Sequence, residues 1–138
     1  MNTKLIPYLA FDSKTKEAMT FYQSALGGEL SMQTFEESGA PVKPEEKDRI
    51  IHADLKNGDL SFMASDGNPE HPVHMGNNIT MSLTGDDEAK LTEYFNKLSE
   101  GGEVDMKLEK QFWGDHYGQL TDKFGVHWSV NITMPKKE

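Results

Sequence analysis

An α+β fold of two tandem βαβββ modules is what this chain predicts, on three observations. Phe21-Tyr22-Gln23-Ser24-Ala25-Leu26-Gly27-Gly28-Glu29-Leu30-Ser31-Met32 is echoed by Phe95-Asn96-Lys97-Leu98-Ser99-Glu100-Gly101-Gly102-Glu103-Val104-Asp105-Met106, at a constant offset of 74 residues. In both copies an amphipathic run closes on Gly-Gly, a left-handed helix stop, and then alternates apolar and polar residues as a strand does. One strand, one helix and three strands can be read, in that order, in each half. Two copies are too few for a solenoid, since stacked repeats need about three or more to bury a continuous core. Duplicated modules facing each other across a shared cavity fit better.

Lys4 to Phe11 reads as the first strand, with Pro7 tolerated at an edge. Ser13 is placed to cap a helix through Leu26, whose Ala18, Phe21, Tyr22, Ala25 and Leu26 fall on one broad apolar face. Glu29 to Glu37 follows as a strand, and residues 38–47, with two prolines and a glycine, form a polar loop that is a candidate lid. Arg49 to Lys56 and Leu60 to Ser65 are strands joined at Asn57-Gly58, a strong hairpin signal. Residues 67–76 break every periodicity and read as a linker. The order then restarts: a strand from Asn78 to Thr84, a helix opened by Asp86-Asp87-Glu88 and running to about Ser99, and strands Glu103 to Lys110, Tyr117 to Thr121 and Val126 to Thr133. Residues 1–138 thus make one domain, with module one at about 1–66 and module two at about 77–138.

A chain of 138 residues suits one domain that buries roughly 68% of its unfolded surface, so its core needs no staple. The absence of cysteine removes disulfides, thiolate metal sites and cysteine nucleophiles together. No secretory signal or membrane-length apolar run is visible, and the expectation is a cytoplasmic protein without membrane contact. The formal charge of -9, from 14 basic and 23 acidic side chains, argues against nucleic acid, whose binding is driven by Lys and Arg. The acidic pairs Glu36-Glu37 and Glu45-Glu46 read as solvated faces.

Alternation sorts the strand residues onto two faces. Ile79, Met81 and Leu83 alternate with Asn78, Thr80 and Ser82; Val126, Trp128, Val130 and Ile132 alternate with His127, Ser129 and Asn131. In the first module Ile51, Ala53 and Leu55 alternate with Ile50, His52 and Asp54. The apolar sets belong under the helices. Small uncharged groups such as Asn78, Thr80, Ser82 and Ser129 are more typical of a semi-enclosed hydrogen-bonding cavity than of an exposed sheet face, which favours Lys, Glu and Arg.

Pro7-Tyr8-Leu9-Ala10-Phe11, Glu17-Ala18-Met19-Thr20-Phe21-Tyr22 with Gly27-Gly28-Glu29, His52-Ala53-Asp54-Leu55 with Asn57-Gly58-Asp59, Phe62-Met63-Ala64-Ser65-Asp66, and Phe112-Trp113-Gly114-Asp115-His116-Tyr117-Gly118 leading to Asp122-Lys123-Phe124-Gly125-Val126-His127-Trp128 together resemble the PhnB-like branch of the vicinal oxygen chelate, or glyoxalase/bleomycin-resistance, superfamily. The resemblance covers nearly the whole chain and implies paired βαβββ modules forming a cupped mixed sheet around a cavity, usually in a homodimer. Metal enzymes of that superfamily hold a divalent ion through His, Gln or Glu on the first and last strands of each module. Carried over by strand register, those positions are Ile6, Met63, Asn78 and Ser129. This is a poor donor set: no donor at Ile6, a soft thioether at Met63, and no charge at Asn78 or Ser129. A strand slipped by two residues would bring in His127 or Asn131. Some members carry a ubiquinone-pathway methyltransferase name, but no glycine-rich loop follows the first strand to cradle a nucleotide-like cofactor.

Among the remaining motifs, His71-Pro72-Val73-His74 has a two-residue gap suited to metal but no third ligand nearby. His116 and His127 flank the last hairpin as ordinary hydrogen-bonded histidines. His52, with Asp54 two residues along the same face, is a candidate general base or a ligand contact. The expectation is a metal-free and cofactor-free binder of a small molecule in the cavity between the modules, contacted by Tyr8, His52, Met63, Asn78, Thr80, Trp113, Gln119, His127 and Ser129. The alternative is an enzyme using a divalent metal or a His52/Asp54 acid-base pair.

Overall fold

The computed structural model describes residues 3–135 and divides into two compact units between His74 and Met75. The first unit runs β1 (Tyr8–Ala10), α1 (Thr15–Leu26), β2 (Glu29–Thr34), α2 (Phe35–Ser38), β3 (Ile50–Asn57) and β4 (Leu60–Ser65). Its four strands form one mixed sheet in the order β1-β4-β3-β2. β1 lies parallel to β4, with Tyr8 opposite Met63, while β2, β3 and β4 form an antiparallel meander. The expected strand from Lys4 contracts to three residues. Pro7 has no N–H to give a ladder, yet its carbonyl accepts the Met63 N–H at 2.9 Å, so the chain is already anchored there.

Ala18, Met19, Tyr22, Ala25 and Leu26 of α1 are buried with Ala53, Leu55, Phe62 and Ala64 of the sheet. Met19 takes the buried place expected of Phe21, which is half exposed. Ser13 is not the helix cap. It sits at φ 59 with its hydroxyl donating to the Asp12 carbonyl, and Lys14 flanks the helix without a side-chain cap. The first free N–H, that of Thr15, is taken instead by the buried Asp66 carboxylate at 3.0 Å. β2 stops at Thr34 rather than Glu37, because Thr34-Phe35-Glu36-Glu37 is a capping box. Thr34 Oγ1 accepts the Glu37 N–H at 3.1 Å and Glu37 Oε1 accepts the Thr34 N–H at 3.0 Å. A 3-10 turn at Pro44–Glu46 interrupts the polar loop. The β3–β4 turn shifts by one residue from expectation: Asn57 pairs with Leu60 across Gly58-Asp59, and the Asn57 amide donates to the Leu26 carbonyl at the end of α1.

The second unit repeats the plan as β5 (Met81–Gly85), α3 (Glu88–Leu98), β6 (Glu103–Lys110), β7 (His116–Thr121) and β8 (His127–Ile132), in the sheet order β5-β8-β7-β6. Here the parallel pair is β5 and β8, as β1 and β4 are in the first sheet. Asp87 caps α3 by accepting the Lys90 N–H at 3.1 Å. Leu91, Tyr94, Phe95 and Leu98 are buried with Leu83, Leu120, Trp128, Val130 and Ile132. β5 begins three residues later than the expected Asn78, and Ile79, expected in the core, is 75% exposed. The cause is register. Met81 pairs with Trp128, so Ile79 and Asn78 would fall opposite Val126 and Gly125 in the turn after β7, which is closed on itself by Val126 O with Asp122 N and by Asp122 O with Gly125 N.

The echoed glycines occupy matching places. Gly27 and Gly101 both have φ 76, two residues before β2 and β6. A Cβ at Gly28 would strike the Lys56 carbonyl, and one at Gly102 the Thr121 carbonyl. The same tight approach of a helix exit to the sheet is built twice, which is why Gly-Gly recurs.

Candidate functional site

Each sheet turns one face toward its helix and leaves the other polar. On the first sheet the register lines up Ser31, Asp54, Met63 and Tyr8 across all four strands. Two residues along β3, His52 shares that face. The Tyr8 hydroxyl lies 3.1 Å from His52 Nδ1, the rings are tilted with centroids 5.8 Å apart, and His52 Nε2 stands 3.7 Å from Asp54 Oδ2. With its proton on Nε2, toward the carboxylate, the imidazole accepts the phenolic O–H at Nδ1. Carboxylate, imidazole and phenol thus form a row that is open to solvent, with the His52 side chain 41% exposed.

The second sheet carries a longer polar network. Ser82, Ser129, Gln119 and Met106 form one row; Ser129 Oγ donates to Ser82 Oγ at 3.0 Å and the Gln119 amide to the Tyr117 hydroxyl at 2.9 Å. The Thr121 hydroxyl donates to Asp105 at 2.7 Å, so its oxygen faces His127 Nδ1, 3.0 Å away, as acceptor, which puts the proton of that nitrogen on the Thr121 side. Asn131 donates to Asp115 at 3.1 Å. Trp113 stands edge-on to Tyr117, centroids 6.0 Å apart, and edge-on to Phe112, centroids 4.9 Å apart.

Of the residues singled out in the sequence, Tyr8, His52 and Met63 meet on the first sheet, and Gln119, His127 and Ser129 share a face of the second. Trp113 is in the loop before β7. Asn78 and Thr80 precede β5, off the sheet and exposed. Asp54, Tyr117, Asn131 and Asp115 belong to these networks beyond the ligand contacts expected from the sequence. The alternation Tyr117–Gln119 and Ser129–Asn131 was the available signal for two of them, while Asp115, in a turn, had none.

The residues do not fit the superfamily's metal. Met63 faces Tyr8 rather than Ile6, which lies outside β1, and Ser129 faces Ser82 rather than Asn78. The paired positions therefore offer a thioether with a phenol and two hydroxyls already bonded to each other, where hard divalent ions take carboxylate oxygens and borderline ones imidazole.

A family model described as 3-demethylubiquinone-9 3-methyltransferase matches residues 3–131. YjdN of Escherichia coli K12 is 28% identical over 139 residues, covering 93% of this chain and 94% of that protein. Among solved structures, PA1353 of Pseudomonas aeruginosa superposes with a TM-score of 0.86 at 38% identity, covering 97% of this chain and all (100%) of that one. The PhnB protein of Bacillus cereus gives 0.76 at 27%, covering 95% and 100%. A glyoxalase/bleomycin resistance protein/dioxygenase superfamily member of Sphaerobacter thermophilus shares the fold, at a TM-score of 0.57 and 16% identity over 95% of this chain and 98% of that one. With two βαβββ sheets of one topology and a family match spanning nearly all of its length, the chain belongs to the PhnB-like family, which bears the 3-demethylubiquinone-9 3-methyltransferase name, and it shares its fold with the glyoxalase/bleomycin resistance/dioxygenase protein.

Proposed function

We propose that this protein binds a small polar organic molecule on the polar sheet faces without a resident metal. The observation that carries the reading is the Tyr8–His52–Asp54 row: a phenol and an imidazole within hydrogen-bond distance, both accessible, beside Ser31 and Met63, with the Lys56 and Glu29 pair farther along the same face. Such a row presents donor and acceptor together and suits a ligand carrying hydroxyl or carbonyl oxygen. On the second unit the proposed contacts are Gln119, His127, Ser129 and Trp113; Asn78 and Thr80 stand off the sheet and leave the set.

The methyl transfer in the family's name does not enter the proposal. Nucleotide-like cofactors are cradled by glycine-rich turns between a strand and a helix N-terminus. The corresponding turn here, Phe11-Asp12-Ser13-Lys14, has no glycine, and the Thr15 N–H is already held by Asp66.

The test is a ligand-observed NMR screen of small oxygen-bearing compounds, followed by titration of the hits into the wild type and Tyr8→Phe. Loss of one hydrogen bond should weaken binding about five- to tenfold; hits unaffected by Tyr8→Phe and His52→Gln alike would overturn the assignment. A second reading, proton transfer by His52, is favoured by the Asp54 carboxylate 3.7 Å from its ring. It predicts that a bound compound with an acidic C–H exchanges it for deuterium in D2O and that His52→Gln stops the exchange. We also propose a cytoplasmic homodimer, for which light scattering should give about twice the 15.5 kDa chain mass.

A further inference from the structure

We propose that a cavity of about 320 Å3 in the first unit, between the 41–46 loop and the 67–70 segment, is a second binding site that accepts a small organic ammonium ion. It lies at the Arg49 end of β3, and none of the residues assigned above to ligand binding lines it. Its volume falls in the range of about 300–1,000 Å3 usual for small-molecule sites.

The walls are fixed before any ligand arrives. Arg49, whose side chain is 11% exposed, ties both sides together: Nη2 donates to the Asp66 carbonyl at 2.6 Å, next to Gly67, and Nε stands 3.4 Å from Glu46 Oε2 on the loop side. Nη1 donates to Asp12 at 3.2 Å. The Phe35 N–H donates to the Arg49 carbonyl at 2.9 Å and the Glu36 N–H to that of Lys47 at 3.1 Å, pinning α2 beside the loop. Binding therefore need not bear the entropy of ordering these segments.

Charge then selects the occupant. Arg49 and Glu46 neutralise one another inside the wall. That leaves Glu45 and Glu70 against Lys43, a surplus of one negative charge, among the lining residues. Phe35, Pro41, Val42 and Pro69 supply apolar surface for the body of the ligand, with the Phe35 ring available to a cation. An ammonium head on an apolar stem matches both, whereas a carboxylate would meet the two glutamates.

The probe is 2-phenylethylammonium, titrated against 15N-labelled protein in 0.15 M salt, with 3-phenylpropionate as the oppositely charged control. We expect saturable amide shifts confined to residues 35–49 and 67–70, with a dissociation constant on the order of a millimolar. Glu45→Gln and Glu70→Gln, both at exposed positions, should each weaken it about three- to tenfold, and the exposed Glu36→Gln should leave it unchanged. Equal or tighter binding of 3-phenylpropionate, shifts scattered over the acidic surface without saturation, or an undiminished response in the double glutamine variant would each overturn the proposal.

Discussion

Asp66 is a buried carboxylate that joins three pieces of chain. Its two oxygens accept the N–H of Thr15 at 3.0 Å and of Ile50 at 2.8 Å, fastening the start of α1 and of β3 to the end of β4. Replacing it with alanine leaves two buried donors without partners, and we expect a loss of about 2–4 kcal/mol in urea denaturation. Asp66→Asn keeps one acceptor and should lose about half as much; equal stability of all three proteins would show that water replaces the carboxylate freely. Asp122, also buried, instead fastens its own turn to β8, accepting the Phe124 N–H at 2.8 Å, the Val126 N–H at 3.1 Å and the Trp128 indole N–H at 2.8 Å. The role of Asp66 was not legible in the sequence. An aspartate after a strand reads as a turn residue, and nothing local tells that its partner is a helix start 51 positions away.

At the scale of elements, the Gly-Gly pairs show what the chain does declare. A stop that must bend left and also let a carbonyl pass within reach of a Cβ admits only glycine, so the constraint survives in the sequence as a repeat. We expect Gly28→Ala and Gly102→Ala each to cost about 2–4 kcal/mol, since each Cβ meets a backbone carbonyl. Gly39→Ala, with φ 79 but open space around it, should cost only about 1 kcal/mol. Thermal denaturation of the three variants checks the ranking, and a milder effect at Gly102 than at Gly39 would contradict it. The capping box of α2 was equally visible as Thr-x-x-Glu, and Phe35 already breaks the period set by Leu30 and Met32, so the strand could have been ended at Thr34 from the sequence. Thr34, through its N–H first and its hydroxyl second, holds the Glu37 carboxyl below the usual carboxylate range. The contribution of a lowered carboxylate is complete above its unfolded pKa and disappears as pH falls through the folded one. Acid titration followed by NMR should therefore release the Thr34 and Glu37 amides together at a pH below the ordinary glutamate range, and Thr34→Ala, which keeps the N–H but removes the hydroxyl, should narrow the gap.

At the scale of the whole molecule, the order of elements was legible because hydrophobic period, turn residues and the duplication agree with one another, and the family because motifs from Pro7 to Trp128 resemble it in order and spacing. Register was the weak link: Ile79 and the strand from Asn78 were misplaced because pairing depends on where β8 begins, which local alternation does not show. That weakness bears on the metal question, since ligand positions depend on register. The observed pairing puts Tyr8 with Met63 and Ser82 with Ser129, and among the described residues no three His, Asp or Glu side chains gather as a metal site would need. A chain of net charge -9 still attracts divalent ions over its surface, so weak uptake alone decides nothing. Salt separates the cases: diffuse attraction is screened within about 3 Å at 1 M, whereas a coordinated ion is not. We expect Ni, Zn, Mn and Fe(II) to bind measurably at low salt, to be lost at high salt, and to leave the melting temperature unchanged. A true site at a hundredfold excess over its dissociation constant would add about 2.7 kcal/mol of stability, or roughly 9 °C for a chain of this size. A salt-resistant shift of that order with any of the four ions would overturn the proposal of a metal-free protein and return the polar face to metal-assisted chemistry.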